Sequence, residues 1–256
     1  MKYISIFIIT FCIILATQGC LSKGGKKQAA INPVDTQTVA DTGFTGIRQY
    51  YSNRTLSYEV TFKNGIRQGL MKSFYPGGKV RQTFCYEKGL KEDTAVWFYE
   101  EGEVFRRTPF KRDSMNGIQI QYYKSGAVRA KMNFVNGLRT PYFEEFTSEG
   151  KKITDYPAVV VRTRDDYKTN GTYNIYLELD KKNVKVNFYY GELTDSLFIP
   201  KSLKSLNTSD YTGLLQLRKS SLPGKGSSEI ISEITTALGN KLIVYNKVTL
   251  PYNDLK

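Results

Sequence analysis

Gly69-Leu-Met-Lys-Ser-Phe-Tyr75, Pro76-Gly-Gly-Lys79 and Val80-Arg-Gln-Thr-Phe-Cys-Tyr86 follow one another without a break, and their reading decides the fold. Two strand-like stretches flank a Pro-Gly-Gly turn, whose glycines suit the positive φ that tight turns demand. The passage recurs along the chain. Tyr51, Tyr75, Tyr99 and Tyr123 stand 24 residues apart, each preceded by a second aromatic residue: Tyr50, Phe74, Phe98 or Tyr122. Leu56, Val80, Val104 and Val128 keep the same spacing, as do Phe62, Tyr86, Phe110 and Phe134. Gly78, Gly102, Gly126 and Gly150 mark one turn, and Gly65, Gly89 and Gly137 the other. Asp113 takes the remaining place in that second column, and aspartate tolerates left-handed backbone better than most residues. Alternation is clearest in the first unit, with Leu56, Tyr58, Val60 and Phe62 on one face and Ser57, Glu59 and Thr61 on the other. A single hairpin cannot bury its apolar face, so consecutive hairpins are expected to merge into one elongated antiparallel sheet.

An aromatic doublet, a turn glycine, an apolar strand, an aromatic and then glycines before the next doublet: this pattern resembles the bacterial MORN-variant repeat of the type labelled YwqK-family antitoxin. The resemblance spans residues 43–153, roughly four and a half units. It implies a hairpin-repeat scaffold and, in some members, a toxin-neutralising partner. Eukaryotic MORN repeats are linked to phosphoinositide lipids through a shorter, denser Gly and Trp pattern. This chain lacks that pattern, and the lipid activity is not carried over.

The alternation assigns a second, outward face. Arg81, Thr83 and Cys85 fall in the columns of Ser57, Glu59 and Thr61, followed by Phe105, Arg107 and Pro109, then Arg129, Lys131 and Asn133. The second member of each aromatic doublet is expected on the side opposite the first, with Trp97 on the face of Tyr99. Arg81, Trp97, Phe105, Arg107, Arg129 and Lys131 are therefore the candidate binding face, an aromatic ladder with interleaved cations suited to sugar rings or polyanions. The competing reading is that tyrosine columns merely stiffen a single-layer sheet while the cations keep it soluble. Pro109 removes a ladder donor and should mark an edge or bulge, making the third unit the least regular.

Lys and Arg number 37 against 24 Asp and Glu, for a net charge of +13, and histidine is absent. Without histidine, Ser-His-Asp, Cys-His and His-metal chemistry are all disfavoured. No phosphate loop, cysteine-rich metal cluster or nucleophile elbow is present in the sequence. Glu100-Glu101, Glu144-Glu145 and Asp165-Asp166 are adjacent pairs, and neighbours in a strand point to opposite faces, so neither strand pair makes a catalytic dyad by itself. No catalytic residue, metal ligand or cofactor is expected, and the chain reads as a non-enzyme. Cys85, with no histidine to activate it, is expected to be a neutral surface thiol.

Lys2 precedes the apolar run Tyr3-Ile-Ser-Ile-Phe-Ile-Ile-Thr-Phe-Cys-Ile-Ile-Leu-Ala16, which is shorter than a spanning helix and reads as a secretory signal. The following Ala16-Thr-Gln-Gly-Cys20 resembles a bacterial lipobox, with Thr17 where leucine is usual. Residues 1–19 are then a lipoprotein signal peptide, and Cys20 is the acylated residue that anchors the chain in a bilayer. Removal of Cys12 leaves Cys85 as the lone thiol, so no disulfide framework supports the fold. Residues 20–42 lack aromatics and read as a flexible tether. The expected location is the bacterial cell envelope, the outer membrane ahead of the inner, which disfavours nucleic acid as a partner. An envelope protein is the first candidate partner and an envelope glycan or other polyanion the second. A toxin-neutralising role and a carboxylate-based enzyme in the C-terminal part complete the alternatives.

The 24-residue register ends near Tyr156. Residues 154–256 form an unfamiliar β-rich domain with strands expected at 157–162, 172–179, 184–190, 211–218 and 241–248, a sandwich or barrel in outline. Ile230, Ile231, Ile234, Ala237 and Leu238 make one helical stripe ahead of Gly239, predicting a helix over 229–238; a hairpin turning at Gly239-Asn240 is the alternative.

Overall fold

The computed structural model describes residues 43–182, 184–191, 203–206, 208–209 and 211–256. The signal peptide, Cys20 and the tether lie outside the described residues. The fold is mainly β and antiparallel. The repeats supply β1 (Gly46–Ser52), β2 (Thr55–Lys63), β3 (Ile66–Phe74), β4 (Val80–Glu87), β5 (Leu90–Phe98), β6 (Val104–Lys111), β7 (Ser114–Met115), β8 (Gly117–Tyr122), β9 (Val128–Val135), β10 (Leu138–Phe146) and β11 (Lys152–Ile153). They make one 11-stranded sheet in chain order, with β7 and β8 both pairing with β6. Pro109 on β6 lies where the facing strand breaks: Asn116, between β7 and β8, donates its N–H to the Pro109 carbonyl.

Two turn types alternate along the sheet, each repeated every 24 residues. The first closes with the N–H of Tyr75, Tyr99, Tyr123 or Thr147 on the carbonyl of Lys79, Glu103, Ala127 or Lys151. Its glycine column, Gly78 at φ 83 for instance, is left-handed throughout. The second has positive φ at both central residues (Asn64 and Gly65, Lys88 and Gly89, Arg112 and Asp113, Asn136 and Gly137), the mirror-image turn that matches strand twist in two-residue hairpins. Asp113 adopts φ 66, and its Oδ1 accepts the Lys91 N–H. Side chains brace these turns too: Gln68, Glu92 and Asn116, again 24 apart, accept the N–H of Lys88, Arg112 and Asn136.

The first-listed alternation holds. Val60, Phe62, Met71, Phe84, Tyr86 and Ala95 are buried on one face, with Trp97 and Phe110 packed against them. A column invisible to hydropathy covers these rings. Arg67 lies 5.2 Å above Tyr86, Lys91 5.0 Å above Phe84, and Arg139 5.7 Å above Phe134, with Met115 holding the place between Lys91 and Arg139. Long side chains thus lay their stems over the aromatics, and their charges meet the ring faces.

The remaining strands are β12 (Val159–Asp166), β13 (Thr172–Leu179), β14 (Val186–Tyr190), β15 (Lys204–Ser205), β16 (Thr208–Ser209), β17 (Thr212–Arg218), β18 (Ser227–Thr235) and β19 (Lys241–Thr249), with the four-residue helix α1 (Tyr167–Asn170) after β12. They form two four-stranded sheets, β12-β13-β17-β16 and β15-β14-β18-β19. Ile175, Leu177 and Leu215 from one sheet meet Phe188, Ile230 and Ile234 from the other in a shared core, the arrangement of a sandwich. The helix predicted over 229–238 is a strand and a turn instead. Ile230 and Ile234 face the sandwich core, while Ile231 faces a second cluster with Leu203 and Ile243. A strand buried on both faces loses its alternation, and the apolar spacing that remains mimics a helix. Gly239 at φ 79 donates to the Thr236 carbonyl and closes the hairpin.

Candidate functional site

The proposed face does not assemble as expected, and β-bulges are the reason. Ser73 pairs with Gln82 but Phe74 with Val80, leaving Arg81 without a partner opposite. The same slip leaves out Ser57, Phe105 and Arg129, 24 residues apart. An extra residue in one strand re-aims its side chain, so strict alternation does not apply at these positions. Arg129 swings to the core face: it donates from Nη1 to Gln121 Oε1 at 3.2 Å and from Nη2 to the Leu238 carbonyl at 2.6 Å. Phe105 packs its ring against Tyr99 at a centroid distance of 5.2 Å. Arg81 lies close enough to Tyr75 that its charge pulls the phenol pKa down against the larger upward push of burial.

Trp97 is also on the core face, contrary to its predicted place beside Tyr99 outside. It pairs with Gln82 and Arg106 and meets Phe84 edge-on. The tyrosines form no outward ladder either. Tyr75, Tyr99 and Tyr123 donate their hydroxyls to the carbonyls of Phe98, Tyr122 and Phe146 at 2.7, 2.8 and 2.7 Å, a spine that ties each unit to the next. Burial raises the pKa of Tyr75 and Tyr99.

Arg107 and Lys131 are outward as expected, in the cross-strand row Val96, Arg107, Ile120, Lys131, Glu144. Arg107 is exposed, and no carboxylate among the described residues lies within ion-pair distance of it. Lys131 shares Glu144 with Lys152, at 3.9 and 2.7 Å, and the hydrogen bond from Lys152 leads in holding the Glu144 carboxyl below its ordinary pKa. Cys85 sits on this face opposite Leu70. What dominates the face is apolar: Ile66 (52 %), Leu70 (46 %), Leu90 (41 %), Ile118 (47 %) and Tyr142 (41 %) are all exposed. Leu70, Ile118 and Tyr142 share one repeat column, with Thr94 between the first two, and Ile66 and Leu90 share another.

The core face carries what sequence reasoning missed. The hairpin turn between β18 and β19 docks on the end of the repeat sheet. Glu145, 1 % exposed, accepts from Thr236 Oγ1 and Asn240 Nδ2 at 2.7 Å each, and Gln121 Nε2 donates to Asn240 Oδ1 at 2.9 Å. Arg139 adds a bond from Nη2 to the Lys241 carbonyl, and burial pulls its guanidinium down to about 10 against the raising effect of Glu233 and Glu145. Glu144 and Glu145 point to opposite faces, as adjacent strand residues must.

Hairpin repeats joined by a hydrogen-bonded tyrosine spine define this chain as a β-repeat scaffold carrying a small β-sandwich. Residues 67–88 and 115–136 match the family model of the MORN repeat variant, so the chain contains that repeat at two positions. Each matched stretch runs from the covering Arg67 or Met115, through one hairpin, into the following two-residue turn. The intervening unit, with Glu100-Glu101 in its turn and Asp113 for glycine, shares the same turns, bulge and tyrosine bond. No curated protein matches the chain.

Proposed function

We propose that this chain is a non-catalytic lipoprotein of the bacterial cell envelope whose repeat sheet is a scaffold for another protein. The observation that carries the reading is the outward face, where Ile66, Leu70, Leu90, Ile118 and Tyr142 stand exposed on one sheet surface. Contiguous apolar surface on a water-facing sheet marks a protein contact more often than chance exposure does. The polyanion reading has less support, because two of its cations are committed elsewhere: Arg129 to the Leu238 carbonyl and Lys131 to Glu144. Repeat arrays commonly bind partners through an extended surface of this kind. The lipobox-like Ala16-Thr-Gln-Gly-Cys20 supports anchoring at Cys20, and the absence of histidine supports a binding role over catalysis.

Capture from envelope extract tests the scaffold. The chain lacking residues 1–19 is expected to retain a defined protein in high salt and to lose it in Leu70→Glu/Ile118→Glu. Recovery of anionic polysaccharide alone, released by salt and lost in Arg107→Glu, would overturn the reading in favour of a polyanion binder. Labelled palmitate is expected to enter the wild type and not Cys20→Ala; equal labelling of both ends the anchor.

A further inference from the structure

The row of core-face residues that receives the β18–β19 turn continues past it. At one end Gln121 and Glu145 hold Asn240 and Thr236. Moving toward β3, the same row passes through Arg106, Trp97, Gln82 and Ser73, each paired across the strands. These are the repeat equivalents of the positions that grip the turn, since Trp97 and Ser73 lie 24 and 48 residues before Gln121. Here nothing among the described residues answers them. The Arg106 guanidinium lies 3.9 Å above the Trp97 ring, its Nε is sealed from solvent without an acceptor, and no carboxylate pairs with it. Burial holds its pKa below the ordinary arginine value. The Ser73 hydroxyl, on a residue only 5 % exposed, likewise lacks a partner. Gln82 between them is buried.

A buried cation without an anion is among the costliest arrangements a protein keeps. An aromatic plane beneath a guanidinium leaves the in-plane N–H fork free, the geometry that takes a carboxylate. We infer that the Arg106–Trp97–Gln82–Ser73 row binds a carboxylate side chain presented by an acidic segment of a partner protein, as the β18–β19 turn is gripped two units further on. The inference rests on the scaffold reading for the source of the carboxylate, although it uses the opposite face of the sheet.

Trp97 is the chain's only tryptophan, so its emission reports on this row alone. The probe is the blocked tripeptide acetyl-Gly-Glu-Gly-amide, titrated into the chain lacking residues 1–19, with the Gln tripeptide and glucuronate as parallel arms. A saturable change in Trp97 emission is expected with the Glu tripeptide, at least tenfold weaker with the Gln tripeptide and with Arg106→Gln. Arg107→Gln removes the same charge one residue away on the other face and is expected to bind as the wild type does. Equal weakening in Arg106→Gln and Arg107→Gln, or equal response to the Glu and Gln tripeptides, overturns the site. Tighter response to glucuronate than to the Glu tripeptide overturns the protein source. Should Arg106→Gln fail to fold, acrylamide quenching of wild-type Trp97 carries the test: protection by the Glu tripeptide supports the site, and unchanged quenching overturns it. Loss of protein capture by the outward face leaves this titration intact, so the two readings fail separately.

Discussion

Replacing Glu145 with alanine should loosen the join between the repeat sheet and the sandwich hairpin. The carboxylate is 1 % exposed and accepts two hydrogen bonds of 2.7 Å, from Thr236 Oγ1 and Asn240 Nδ2. Hydrogen bonds to a charged acceptor contribute about 1.5–3 kcal/mol each, so the pair contributes about 3–6 kcal/mol. Truncation also relieves the desolvation of the carboxylate, which brings the expected net loss to about 3–5 kcal/mol, the usual cost of breaking a buried charged network. A folded unit of this size shifts its melting temperature by about 2–4 °C per kcal/mol, giving a drop of about 6–20 °C. Glu145→Gln keeps an acceptor oxygen in place and is expected to lose about half as much. Far-UV circular dichroism melts of the chain lacking residues 1–19 measure both. A melting temperature for Glu145→Ala within about 3 °C of wild type would refute the reasoning, because a loss under about 1 kcal/mol means that these bonds do not hold the hairpin.

Three further outcomes follow from the geometry. A Cβ on Gly213 would stand 2.7 Å from Cδ2 of the fully buried Phe188, so Gly213→Ala is expected to lower the urea midpoint by about 1–3 kcal/mol, with partial recovery on adding Phe188→Leu. Tyr99→Phe deletes the bond to the Tyr122 carbonyl and should cost about 1 kcal/mol, whereas Tyr51→Phe should cost under about 0.5 kcal/mol; equal losses would deny the spine. Tyr51 is 61 % exposed and bonds only to Gln49 in its own strand, outside that spine. Burial, with the Glu145 charge adding to it, pushes the Tyr156 phenol up to about 12, above its unfolded value near 10. The native state therefore keeps a proton that the unfolded chain releases, and stability should be level below about pH 10 and decline from there toward about pH 12. Urea midpoints that stay flat across that window would contradict the assignment.

The hairpin array was legible because its turns are local: Asn64-Gly65 and Pro76-Gly-Gly-Lys79 declare themselves within four residues. The Asp113 substitution was readable for the same reason. The faces were legible only where period two runs unbroken, as at Val60 and Phe62 or at Arg107 and Lys131. Arg81, Phe105 and Arg129 are the bulged residues, and one extra residue defeats an alternation count from that point. Trp97 was misplaced by counting back through the same irregularity from Tyr99. Ile230, Ile231 and Ile234 misled because β18 is buried on both sides, which erases the strand signature. The Glu145 network joins residues 91 and 95 positions apart, and no local pattern announces such a pairing.

Site-specific photo-crosslinking in the living cell tests the scaffold most directly. Benzoylphenylalanine replaces Leu70 or Ile118 on the outward face and, as the control, Leu222, which is 61 % exposed in the sandwich part. The account predicts one discrete protein adduct from positions 70 and 118 and none from 222. No adduct at either outward position, or the same adducts from all three, would contradict it.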